Sequence, residues 1–359
     1  MILGLVLILP LSVPTPVRAQ AATPVPASPV AAGGDFAGLV DIGGRRLYLE
    51  CQGEGSPTVV LEAGYRSPAT VWSDDLVQPE MPRTMVFQDV AAFTRVCIYE
   101  RPGAGSVIED VLHPSRSDPV PQPRTAKSVV ADLHALLRAA GVPGPYVLVG
   151  HSLGGMFVRL YAATYPSEVA GLVLVDAWYE GLQDQLTPAQ WAAYVRLNSE
   201  VPLELAGYRD YETLDFAAAS AVMREAAAAR PLASIPLAVL SKGQSFGIPA
   251  EGLGFDPDAL DRAWARAQEQ LATLIPGAHY MVATESAHYV QLQQPELVID
   301  AIRQVVTAVR DPASWSLAAA GGDVADRASD EIIYDLRGGE RFLAASTTLD
   351  LDTSAQKEE

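Results

Sequence analysis

The chain has 359 residues, 49% of them hydrophobic and 19% charged, a balance that supplies a sizeable core and excludes a disordered or fibrous chain. Its formal net charge of -18 excludes a surface built to grip nucleic acid, because phosphate backbones are held by clusters of Lys and Arg. The blander reading of that charge, a solvated acidic surface, leaves the charge of any substrate open.

In chain order, Ile2 to Val13 is an apolar run broken by Pro10, and Val17 to Ala22 supplies the small residues of a cleavage site. Residues 1–22 therefore read as an export signal, or as an N-terminal anchor if retained. The run falls short of the roughly 20 apolar residues of a membrane span. An exported protein, secreted, periplasmic or held at the cell envelope, is expected, with membrane contact only through a retained anchor. Residues 23–35 are rich in Ala, Pro and Val and read as a semi-extended linker.

The folded domain is expected over residues 36–312. Strands are predicted at Arg46 to Cys51, Thr58 to Glu62, Arg95 to Tyr99, Tyr146 to Val149, Gly171 to Val175, Leu237 to Leu240 and Leu274 to Val282. Between the third and fourth lies a helix at Thr125 to Ala140, whose Val129, Val130, Leu133, Leu136 and Leu137 recur at helical spacing. Leu153 to Tyr165 is a second helix, stopped by Pro166, and Gln294 to Val309 is a closing one. Alternation of this kind predicts an α/β fold, a mostly parallel central sheet flanked by helices. A long helix-prone stretch at 177–236 interrupts the rhythm and reads as a lid, or as helices packed on the sheet edge. Residues 313–359 read as a flexible acidic tail with a small hairpin around Gly338-Gly339.

The chemistry concentrates where the Tyr146 strand ends. Gly150-His151-Ser152-Leu153-Gly154 follows it at once and a helix begins, which is the context a G-x-S-x-G turn requires. Such a turn holds the serine in a strained conformation at a helix N-terminus, where free N–H groups favour developing negative charge. His151, its neighbour, is expected to line or support the cleft.

With this elbow in place, the chain resembles the α/β-hydrolase superfamily from about Phe36 to Pro312. Thr58-Val59-Val60-Leu61-Glu62-Ala63-Gly64-Tyr65 is similar to that family's strand and oxyanion loop, with Ala63 where a His is frequent. Tyr99-Glu100-Arg101-Pro102-Gly103-Ala104-Gly105-Ser106 resembles its Tyr-Asp-Arg-x-Gly-x-Gly-x-Ser loop, with Glu100 for Asp. The resemblance implies an α/β-hydrolase fold with a helical lid, Ser152 as nucleophile and the backbone N–H groups of Tyr65 and Leu153 as the oxyanion hole. It implies His288 as base, in Ser286-Ala287-His288-Tyr289-Val290 after the last predicted strand.

Serine needs a base to take its proton, and the base needs a carboxylate to orient it. In the family that the chain resembles the acid most often follows the strand after the lid, but Leu237 to Leu240 runs into Ser241-Lys242-Gly243-Gln244-Ser245 without one; the resemblance then favours Asp176, since some members place their acid after this earlier strand. Asp256 and Asp258, which would reach back from a long loop after Gly243, remain alternatives. Cys51 and Cys97 lack the neighbours of a zinc site, and no metal or other cofactor is expected. In the family's usual strand order their strands are adjacent, which makes a disulfide or two buried thiols equal alternatives. Three functions follow: a serine hydrolase of small carboxylic esters, an aminopeptidase- or amidase-like hydrolase with the same triad, or a non-catalytic binding protein on this scaffold.

Overall fold

The computed structural model of the chain describes residues 34–315, apart from 109, 110, 202–207 and 209. The expected export signal, most of the linker, and the acidic tail with its hairpin lie outside the described residues.

Strands β1 (Phe36–Asp41) and β2 (Arg46–Gln52) form an antiparallel hairpin. Asp41 fixes its turn, one carboxylate oxygen accepting from the N–H groups of Gly43 and Gly44 at 2.8 and 3.1 Å. Next come β3 (Thr58–Glu62), a short 3-10 turn at Ala69–Trp72, α1 (Val86–Ala91) and β4 (Val96–Tyr99). A separate ribbon of β5 (Gly105–Ile108) and β6 (Val111–Pro114) precedes α2 (Ala126–Ala139). Then β7 (Tyr146–His151), α3 (Leu153–Thr164) and β8 (Val169–Val175) alternate. The long insertion holds α4 (Leu182–Gln185), α5 (Pro188–Ser199) and α6 (Phe216–Ala229). The rest of the domain comprises β9 (Leu237–Lys242), α7 (Ala250–Leu253), α8 (Pro257–Leu271), β10 (His279–Ala283), α9 (Val290–Gln293) and α10 (Pro295–Arg310).

Eight strands make one sheet in the order β1-β2-β4-β3-β7-β8-β9-β10. From β4 to β10 every pair is parallel, and β2 runs against both its neighbours. β3 and β7 are buried along their whole length, as strands covered on both faces must be. One core lies between the sheet and α2, α3, α6 and α8; the other lies between the sheet and α1 and α10. In α2 the predicted stripe of Val129, Val130, Leu133, Leu136 and Leu137 is buried, each side chain contributing roughly 1.5–3 kcal/mol relative to exposure. Thr125 caps that helix, accepting from the Ser128 N–H at 3.1 Å.

Four points differ from the sequence reading. The β1 strand went unpredicted because it is an edge strand with only Val40 buried. The stretch after Gly243 is not simply a loop: Asp256 caps α8, Pro257 opens it, and Leu260, Ala263, Trp264, Ala267 and Leu271 turn inward. The last strand begins at His279 rather than Leu274, since Leu274 and Ile275 pack into the core behind α8 and Gly277, at φ +80, turns the chain first. The ordered body also passes 312, with Trp315 stacked on His279 at 3.7 Å and its indole N–H donating to the Gly277 carbonyl at 3.0 Å. Among the described residues no helix is long and apolar enough to cross a membrane. A disulfide joins Cys51 of β2 to Cys97 of β4, which face each other in the ladder with Cα atoms 4.1 Å apart.

Candidate active site

Ser152 sits between β7 and α3 with φ +50 and ψ -124, a conformation that L-residues rarely adopt. Backbone bonds hold it there: its N–H donates to the Val175 carbonyl at 3.0 Å, and its own carbonyl accepts from Trp178 at 2.7 Å. The glycines around it are required by close approach. A Cβ on Gly150 would come within 2.6 Å of the Gly154 carbonyl oxygen, and one on Gly154 within 2.5 Å of the Ala63 carbonyl oxygen.

That second contact brings the loop after β3 against the elbow. A Cβ on Gly64 would fall 3.2 Å from Ser152 Cβ, so Tyr65 follows directly from a residue in touch with the serine. Among the described residues, neither the Tyr65 nor the Leu153 N–H has a hydrogen-bond partner within the protein. Leu153 opens α3, where unpaired N–H groups favour an anion.

Asp176, fully buried at the end of β8 with φ +41, lies against His288, Oδ2 to Nδ1 at 2.6 Å. A carboxylate only accepts, so Nδ1 carries the hydrogen and Nε2 is left without one. The other carboxylate oxygen accepts from the Trp264 indole N–H at 2.9 Å and from the Lys242 backbone N–H at 3.0 Å. Trp264 also presents its ring edge-on to His288 with centroids 5.5 Å apart, and Phe246 stands 5.2 Å from the same imidazole. Neither aromatic was singled out from sequence. The amphipathic pattern of α8 would have placed Trp264 on a core face, but nothing in the sequence aims it at Asp176.

Asp256 and Asp258 are not brought to this cluster. Both are exposed at the N-terminus of α8, where Asp256 accepts from the Asp258 N–H at 3.1 Å and faces Arg262. The Ser152 hydroxyl and His288 share no hydrogen bond among the described residues; His151 links their neighbourhoods. Its ring lies 4.7 Å from that of His288, and its Nε2 donates to the His288 carbonyl at 2.9 Å. Burial is the main cause that holds the His151 pKa well below the usual histidine value, so this ring is neutral.

Beneath the loop after β3, Arg101 is buried between two acids, Glu62 and Glu212. Burial alone would lower the guanidinium pKa, but Glu212 and Glu62 outweigh it and keep Arg101 charged. Burial raises the Glu62 carboxyl despite the opposing Arg101, and Tyr99 hydrogen-bonds to the same carboxyl. Arg101 stands in the loop that resembles the family's, but its ties to Glu212 were not legible in the sequence. Among the described residues no group of three or more His, Cys, Asp or Glu is arranged to hold a metal ion.

The architecture is similar to that of a Pseudomonas aeruginosa protein described as a candidate epoxide hydrolase, with a TM-score of 0.51 at 16% identity over 79% of this chain and 98% of that one. At that identity the likeness speaks for the fold alone. The sequence model of a family described as alpha/beta hydrolase fold matches residues 99–232, which include the elbow and Asp176. The chain has the α/β-hydrolase fold, and that family's model covers its central part. Among similar sequences, an AB hydrolase superfamily protein of Gibberella zeae is 21% identical over 318 residues, 74% of this chain and 92% of that protein. A Schizosaccharomyces pombe protein without assigned function is 36% identical over 149 residues, 37% of this chain and 26% of the relative. The chain spans less than half the length of several curated relatives that it matches.

Proposed function

We propose that this chain hydrolyses small, uncharged carboxylic esters through an acyl-Ser152 intermediate. The observation that carries the reading is the 2.6 Å hydrogen bond between His288 Nδ1 and the buried Asp176, beside a strained serine elbow. In this reading His288 Nε2 takes the proton as Ser152 Oγ attacks the ester carbonyl. The Tyr65 and Leu153 N–H groups receive the oxyanion, and His288 returns the proton to the departing alcohol. Water, activated by the same imidazole, then releases the acid and frees the serine. Asp176 fixes the tautomer and stabilises the imidazolium that forms. The route needs no cofactor.

An aminopeptidase requires an acid free to receive the substrate's ammonium group. Two carboxyls beside the oxyanion loop, Glu62 and Glu212, are already committed to Arg101, which favours esters over aminoacyl amides. An intact Asp-His pair likewise favours turnover over a binding role. The lid reading of residues 177–236 is supported by α6, whose Phe216, Ala219 and Met223 pack in the same core as α3. The disulfide supports export to an oxidising compartment.

Assay of the chain against a panel of acyl esters and aminoacyl amides tests the reading, with a fluorophosphonate probe to tag the nucleophile. Ester turnover and labelling are expected to vanish in Ser152→Ala, and Asp176→Asn is expected to lower kcat by about four orders of magnitude, as loss of the orienting acid does in serine proteases. Hydrolysis that survives in Ser152→Ala overturns the proposal.

A further inference from the structure

Glu212 belongs to the long insertion, yet its side chain is buried among residues of the oxyanion loop. Oε1 accepts from Arg101 Nε at 2.6 Å, and Oε2 accepts from Arg101 Nη2 at 2.9 Å and from the Arg66 backbone N–H at 2.6 Å. Arg101 in turn donates to two successive carbonyls, Ala63 at 2.8 Å and Gly64 at 2.6 Å. The peptide groups on either side of Tyr65 are thus both held. Arg101 takes the Gly64 oxygen, and Glu212 takes the Arg66 N–H.

The Gly64 carbonyl and the Tyr65 N–H belong to one peptide group, and in a trans peptide they point in opposite directions. Drawing the Gly64 oxygen onto a buried guanidinium turns the Tyr65 N–H away from Arg101. A charged donor on that oxygen also polarises the peptide and makes the N–H a stronger donor. Arg101 is itself held by the bidentate grip of Glu212.

The segment carrying Glu212 is tied down by its backbone too. Glu212 N–H donates to the Gly103 carbonyl at 2.9 Å, Arg124 N–H donates to Thr213 at 2.9 Å, and Thr213 N–H donates to the Gln122 side chain at 3.0 Å. Gly103, at φ +86, lies so near this strap that a Cβ would come within 2.3 Å of the Asp210 carbonyl oxygen.

We propose that Glu212 is a positioning residue of the oxyanion hole, reaching from the insertion through Arg101 and Arg66 to set the direction of the Tyr65 N–H. The donor is then in place only while the strap is docked, which couples seating of the insertion to transition-state stabilisation. This inference rests on the ester-hydrolase reading of Ser152 and the Tyr65 amide.

The test compares Glu212→Gln and Glu212→Ala with the unsubstituted full chain. It measures kcat and KM on the best ester of the panel and the affinity for a trifluoromethyl ketone that adds to the serine as an oxyanion. Loss of one well-aligned oxyanion donor costs about 100- to 1,000-fold in kcat. Glu212→Ala is expected to lose roughly 100-fold in kcat with little change in KM, and to lose affinity for the ketone by a similar factor. Glu212→Gln, which keeps an acceptor for the Arg66 N–H, is expected to fall between. Should Glu212→Ala not fold, the near-isosteric Glu212→Gln carries the test through the same paired loss. A variant with unchanged kcat, or with lowered kcat and undiminished ketone affinity, overturns the proposal. If Ser152→Ala abolishes turnover while both Glu212 variants match the unsubstituted chain, this inference alone falls. If Ser152→Ala retains turnover, the underlying reading falls with it.

Discussion

His151 is the neighbour of Ser152 in the chain, yet its ring serves the loop of His288. Nε2 donates to the His288 carbonyl, so the His288 loop is pinned to the elbow by a neutral imidazole. Burial keeps that ring unprotonated when folded, whereas in the unfolded chain it takes up a proton near pH 6.5. Below that pH the unfolded state binds more protons. The stability that His151 contributes is therefore fully present above about pH 6.5 and lost as pH falls toward the depressed folded pKa. Urea unfolding between pH 8 and pH 5 is expected to give a steeper decline for the unsubstituted chain than for His151→Gln. Equal slopes would remove the buried-neutral assignment. At this scale the gathering of Asp176 and His288 near the Ser152 elbow was legible because each ends or follows a strand at a position the resemblance marks. Trp264 and Glu212 were not, because what they do depends on where α8 and the insertion come to rest.

The elements legible in the sequence were those with an unbroken apolar signal, such as β3, β7 and β9, buried in the sheet, and α2 with its regular stripe. Those missed carry a mixed signal. β1 is half-exposed, and α8 turns two alanines, one tryptophan and two leucines inward beneath a charged outer face. Adjacency of β2 and β4 came with the fold, but the register that puts Cys51 opposite Cys97 is set by the chain's packing. The bond fastens the β1–β2 hairpin to the parallel sheet across a sequence separation of 46 residues. Replacing both cysteines by alanine is expected to cost about 2–4 kcal/mol in urea unfolding. Reductant is expected to destabilise the unsubstituted chain by a similar amount, and denatured, unreduced protein is expected to give no thiol titre. Two free thiols would dismiss the bridge.

Over the whole molecule, burial is uneven. β3, β7 and nearly all of β8 are closed off on both faces, whereas α5 turns only Ala193 and Tyr194 fully inward. Amide hydrogen exchange is expected to follow that difference. The central strands should exchange only on global unfolding, while α5 opens at lower free energy without disturbing the sheet. Uniform protection across both regions would contradict a separately opening insertion.

Arg101 lies in the body of the domain, but one of the two acids that neutralise it arrives from the insertion. A guanidinium buried this deeply and stripped of that acid would carry a penalty of several kcal/mol. Covers grafted from relatives thus face a charge-matching requirement before they meet any substrate. A transplanted segment must bring a carboxylate to the position of Glu212, or the recipient must give up its arginine at the same time.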